Sequence, residues 1–140
     1  MTEPGARTQP SDDVVGLATR LFTMARAGQA AILAEYLAAG VPANLANDSG
    51  DTLIMLAAYH GHADTVRALL DAGADPNRLN DKGQTPIAGA VFKGETDVVR
   101  TLLAGGADPT TGRPSAVDAA TLFGQTDLVA LFATTEPSTD

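Results

Sequence analysis

The stretch G-H-A-D-T-V-R-A-L-L-D-A-G-A-D-P-N, from Gly61 to Asn77, returns 33 residues later as G-E-T-D-V-V-R-T-L-L-A-G-G-A-D-P-T, from Gly94 to Thr110. A fixed period of this length marks a stack of small structural units, each unable to bury its apolar face alone. Such a stack offers an extended surface rather than an enclosed pocket, so the chain is expected to work by binding.

Glycines set the register. Gly28, Gly61, Gly94 and Gly124 stand at steps of 33, 33 and 30, which places a three-residue loss near Thr110–Pro114. Twelve residues beyond the first three come Gly40, Gly73 and Gly106, each closing an apolar helical pattern where positive φ is wanted. Between the paired glycines, Val66, Leu69 and Leu70, and then Val99, Leu102 and Leu103, follow the i, i+3, i+4 spacing of one helical face. The equivalents are Leu33, Tyr36 and Leu37 in the first unit and Val129, Phe132 and Ala133 in the fourth.

A second short helix is predicted before each anchor glycine, over Thr52–Tyr59, Thr85–Phe92 and Ser115–Phe123. Thr52, Thr85 and Ser115 share one phase, where a hydroxyl caps the free N–H groups of a helix start. The first unit differs. Its leading helix is predicted to open at Ser11 or Asp12 and to run through Val14, Leu17, Leu21 and Met24, as suits a terminal cap. No period-two alternation is present, so no β-sheet is expected. Residues 1–10 and 134–140 are rich in Pro, Thr and Ser and are expected to be disordered tails around a domain at 11–133, with units near 14–46, 47–79, 80–112 and 113–133.

The strings G-D-T-L-I-M-L-A-A-Y-H-G-H from Gly50 and G-Q-T-P-I-A-G-A-V-F-K-G from Gly83 resemble ankyrin repeats. The resemblance covers about residues 14–133 as two well-formed units between two degraded caps. It implies an all-α solenoid of four helix-turn-helix units with turns projecting along one edge. Leu53 replaces the proline of the family pattern, and its histidine is Met55, Ala88 and Asp118 here. Within the family, the strings beginning at Asn47 and Asn80 are similar to those of small single-module bacterial ankyrin proteins, some of which are associated with haem catalases and assist their activity.

Charge narrows the partners. Seventeen acidic against nine basic residues leave a net charge of −8, which opposes nucleic acid and anionic membrane. With no cysteine, disulfides and thiolate metal sites are excluded. The first ten residues carry no apolar signal segment, and no run is long enough to cross a bilayer, so a cytoplasmic location is expected.

By the resemblance, binding falls to the turn tips and the concave face of the leading helices. The tips are Asp48, Ser49 and Asp51, then Asp81, Lys82 and Gln84; the concave row is Arg26, Tyr59 and His60, Phe92 and Lys93, Leu122 and Phe123. Of two tyrosines and four phenylalanines, Tyr36 and Phe132 fall at core positions and Phe22 in the first cap. Tyr59, Phe92 and Phe123 fall in the outward row, where aromatics serve as protein-binding anchors. The competing reading is that they pack sideways and seal the stack. The acidic tips predict steering of a partner with a basic patch. Their competing role is turn formation, which Asp and Asn favour.

Other chemistries fare poorly. His60 and His62, with Asp64 nearby, lack the further ligands a zinc site needs, and His62 is expected to cap a helix start. Ser115, His60 and Asp118 can be grouped on paper, but Ser115 holds a capping phase with no nucleophile elbow. The glycines at 105 and 106 lack the lysine of a phosphate loop. The expectation is therefore a monomeric, non-catalytic, cofactor-free protein-binding module. The alternative is an accessory factor supporting a haem catalase in oxidative-stress defence.

Overall fold

The computed structural model describes residues 12–134, and the expected tails at 1–10 and 135–140 lie outside them. Among the described residues eight helices follow one another: α1 (Asp12–Ala27), α2 (Ala30–Ala38), α3 (Leu53–Tyr59), α4 (Ala63–Asp71), α5 (Pro86–Lys93), α6 (Thr96–Ala104), α7 (Ala116–Leu122) and α8 (Thr126–Thr134). The last residue, Thr134, is helical, one residue into the span expected as tail. No strand occurs among the described residues, only isolated bridges at Ala46–Thr52 and Gly112–Ser115. The helices pair as leading and trailing members of four units. No described helix is long and apolar enough to cross a membrane.

The capping hydroxyls start the leading helices as the sequence predicts. Thr52, Thr85 and Ser115 accept from the backbone N–H of Met55, Ala88 and Asp118 at 3.3, 3.2 and 3.1 Å. Pro86 then stands in the first turn of α5, where its missing N–H is harmless. The leading helices end at anchor glycines with φ of 68–80°, a backbone state that a side chain disfavours. At Gly28 a Cβ would also strike the His62 ring at 2.5 Å.

The core lies between the two helix rows and between neighbouring units. Leu69, Leu102 and Phe132 fill equivalent positions and are buried, whereas Tyr36, at that position in the first unit, is only half-buried; Leu33, the equivalent of Val66 and Val99, is buried with them. In α1, Leu21 and Ala25 are buried, Leu17 and Met24 are partly so, and Val14 is 59% exposed. Val14 belongs to the apolar series that runs through this helix. It lies ahead of Thr19, the register equivalent of Thr52, in an extra stretch of helix where the later units have a tip instead.

The fourth unit also departs. Leading helices stack throughout, and α4 packs on α2 and α6 on α4, but α8 does not join the trailing row in the same way and packs chiefly on α7. Leu128 and Phe132 are buried there, while Val129 is half-buried and Ala133 exposed. The three-residue loss falls before α7, which nevertheless keeps its place in the leading row.

Side chains of one phase stitch the units together. Asn44 Oδ1 accepts from Asp75 N–H and Asn77 Oδ1 from Asp108 N–H, both at 2.7 Å. His62, Glu95 and Gln125, each just after an anchor glycine, reach back one unit. His62 Nε2 lies 2.7 Å from the Arg26 carbonyl, the Glu95 carboxylate sits against Gly61, and Gln125 donates to the Val91 carbonyl at 3.1 Å. His62 therefore does not cap α4 with its side chain, contrary to expectation; it stands at the N-cap position and bonds the previous unit.

Candidate functional site

The turn tips are built around two asparagines. Asn47 Oδ1 accepts from the N–H groups of Ser49 and Asp51, and Asn80 Oδ1 from those of Lys82 and Gln84. Asn80 Nδ2 then donates to Asp51 Oδ1 at 2.9 Å and Gln84 Oε1 at 2.8 Å, joining the first tip to the second. Backbone bonds continue this ladder, from Asp81 N–H to Ser49 O and from Arg113 N–H to Gly83 O. The turn-forming role weighed for the aspartates thus belongs to Asn47 and Asn80. Asp51 is an inter-unit acceptor, while Asp48 and Asp81 are exposed.

Between the tips and the leading helices runs a groove of about 520 Å³. Asp51, Lys82 and Gln84 line it from the tip side, and Tyr59, Phe92 and Phe123 from the far ends of the leading helices. Asp48 and Asp81 lie instead at a shallower polar depression between the first two tips. Arg26, His60 and Lys93 are exposed and do not line the groove. In sequence register, Arg26 shares the phase of Tyr59 and Phe92, while His60 and Lys93 directly follow those two aromatics.

The aromatic row is both packed and open. Tyr59, Phe92 and Phe123 are 40, 59 and 49% exposed. Phe92 meets Phe123 edge-on at 5.6 Å, Tyr59 meets His60 in the same way at 5.6 Å, and Lys93 Nζ stands 5.0 Å from the Tyr59 ring centre. Sideways packing therefore orders the row without burying it. Counting back from the anchor glycines puts Leu122, 76% exposed, in phase with Tyr59 and Phe92. Phe123 stands in the phase of Lys93 and joins the row through its contact with Phe92.

Sequence reasoning missed Asn80 and Gly89 as groove residues. Gly89 takes the place of Leu56 one unit earlier, and a Cβ there would lie 3.5 Å from Tyr59 Cδ1. A small residue at that phase, where the previous unit has a leucine, was the available signal. The other candidate chemistries are accounted for locally. Ser115 caps α7, His60 lies against Tyr59, and His62 contacts Arg26. Among the described residues no group of three or more His, Asp and Glu is placed to hold a metal ion. The Thr110 hydroxyl, then the Thr110 N–H, hold the Asp108 carboxyl below the usual range.

Paired helices in register, capped by hydroxyls and joined by an asparagine-built tip ladder, define a helical repeat solenoid with a concave groove. Comparison with known families gives the same answer, matching a model of three ankyrin repeats to residues 21–113, and the chain belongs to the ankyrin repeat family. The fourth helix pair falls beyond that match. The chain is also similar to an ankyrin repeat protein of Pseudomonas aeruginosa, 56% identical over 48 residues. That alignment takes in 34% of this chain and 28% of the Pseudomonas protein, so the chain matches less than a third of that relative's length. Ankyrin repeats generally mediate protein–protein interaction and are typically not enzymes.

Proposed function

We propose that this chain is a non-catalytic binding module that docks one partner protein in the groove between its tips and leading helices. The observation that carries the reading is the row Tyr59, Phe92 and Leu122, one large exposed apolar side chain from each successive leading helix, facing a polar rim of Asp51, Lys82 and Gln84. Apolar anchors within a polar rim are the anatomy of a protein-binding patch. Asp48 and Asp81, outside the groove, favour a basic patch on the partner beside the tips. Affinity capture from the native host, comparing wild type with Tyr59→Ala/Phe92→Ala, tests this. Capture of the partner should fall while the fold, followed by circular dichroism, persists; an unchanged set of captured proteins overturns it.

We infer a second reading, support of a haem catalase, from one observation. The two strings that carry the resemblance to catalase-associated relatives each place a groove residue at or near their end, Tyr59 in one and Phe92 in the other. Deleting the gene should lower catalase activity or haem content, and a Tyr59→Ala/Phe92→Ala copy should fail to restore it. No change on deletion retires the reading.

A further inference from the structure

Resting on the groove reading, we propose that the occupant is an amphipathic helix of the partner, laid along the stacking axis, with carboxylates on the flank that meets Arg26 and Lys93.

Spacing favours a helix over a strand. The row offers one apolar side chain per leading helix, and packed helices lie about 8–10 Å apart. Two turns of a helix advance seven residues, about 10.5 Å, so apolar residues seven apart meet successive leading helices from one face. Same-face residues of a strand recur at about 6.6 or 13 Å and fall out of step with the row.

Charge fixes the orientation. Acidic residues outnumber basic ones by 17 to 9, yet the row and the residue after it in each unit hold Arg26, His60 and Lys93 and no carboxylate. Neither Arg26 nor Lys93 forms an ion pair among the described residues; Lys93 rests over the Tyr59 ring instead. A cation over an aromatic face keeps donors free for an incoming carboxylate. Across the groove the acids are Asp51, which lines it, and the exposed Asp48 and Asp81 at the tips, with Lys82 among them. The occupant is thus a helix with an apolar face, acids along one side, and bases tolerated along the other.

Panning random 18-residue peptides displayed on phage against the intact chain tests this. The enriched peptides should carry apolar residues at i, i+3 or i+4, and i+7 with acids on one flank. Their affinity should fall about ten-fold in Arg26→Glu/Lys93→Glu. It should recover when those peptide acids become lysines. Arg67→Glu/Arg100→Glu, on exposed positions of the trailing helices α4 and α6, changes net charge equally and should have a much smaller effect. Alternating or proline-rich peptides, basic peptides, no enrichment, or equal losses in the two double variants would each overturn the proposal. Tyr59→Ala/Phe92→Ala separates it from the reading beneath it. If those changes abolish binding and charge reversal does nothing, the helix proposal fails and the groove stands. If bound peptides ignore those changes too, the groove itself is wrong.

Discussion

The backbone N–H of Asp108 donates to Oδ1 of Asn77 at 2.7 Å, and one period earlier Asp75 donates to Asn44 at the same distance. The next position in that series is Thr110, which turns back to bond Asp108 instead, so the ladder stops where the repeat degrades. Asn77 also donates to the Gly106 carbonyl at 3.2 Å, which makes it a two-sided tie between the central units. Asn77→Ala should therefore destabilise the domain by about 1–2 kcal/mol, read from urea unfolding. An unchanged midpoint would mean that water replaces both bonds without loss.

Leu102 is fully buried between the leading and trailing rows, and Lys93 is exposed. Leu102→Ala should cost about 2–5 kcal/mol through lost transfer energy and a residual cavity. Total stability is usually about 5–15 kcal/mol, so the melting temperature should drop sharply. Lys93→Ala should barely move it. Equal melting of the two variants would contradict the assignment of core and surface.

Thr65 is fully buried and its hydroxyl has no partner, whereas the same position holds Val98 in the next unit and Leu128 in the last. Replacing an unsatisfied buried hydroxyl by a methyl of similar shape removes a desolvation penalty. Thr65→Val should stabilise by about 1 kcal/mol in thermal unfolding. A loss of stability would show that the hydroxyl has a partner after all.

Most of the architecture could be read from glycine and hydroxyl spacing, because both report backbone states that few other residues serve. Thr52, Thr85 and Ser115 gave the helix starts, and Gly28, Gly61, Gly94 and Gly124 the ends. The inter-unit ties were not legible: the ordinary G-H pair suggests a cap at His62, and only the fold brings its ring to Arg26. The site was half legible. Tyr59, Phe92 and Leu122 share a phase that counting reveals, but Phe123 stands in the phase of Lys93 and joins the row by a tertiary contact. The departure of α8 from the trailing row was not legible, because its spacing from Ser115 and Gly124 matches that of the earlier units.

Asp108 gives a pH prediction. Its carboxyl is held below the usual range by the Thr110 hydroxyl first and the Thr110 N–H second. A depressed acid contributes stability that is fully present above its unfolded value and is lost as pH falls through its folded value. In Thr110→Val the backbone N–H remains and the hydroxyl does not, so the Asp108 midpoint, followed by carboxyl NMR, should rise toward the ordinary range. An unmoved midpoint would assign the shift elsewhere.

The central claim is that the concave groove is the working surface. In-cell photo-crosslinking reads it most directly, with a benzophenone amino acid placed at Phe92 in the groove or at Arg100 on an exposed position of trailing helix α6. A discrete covalent adduct should form from position 92, disappear when Tyr59→Ala is added, and be absent from position 100. An adduct from position 100 with none from 92, or one from 92 that survives Tyr59→Ala unchanged, would contradict the account.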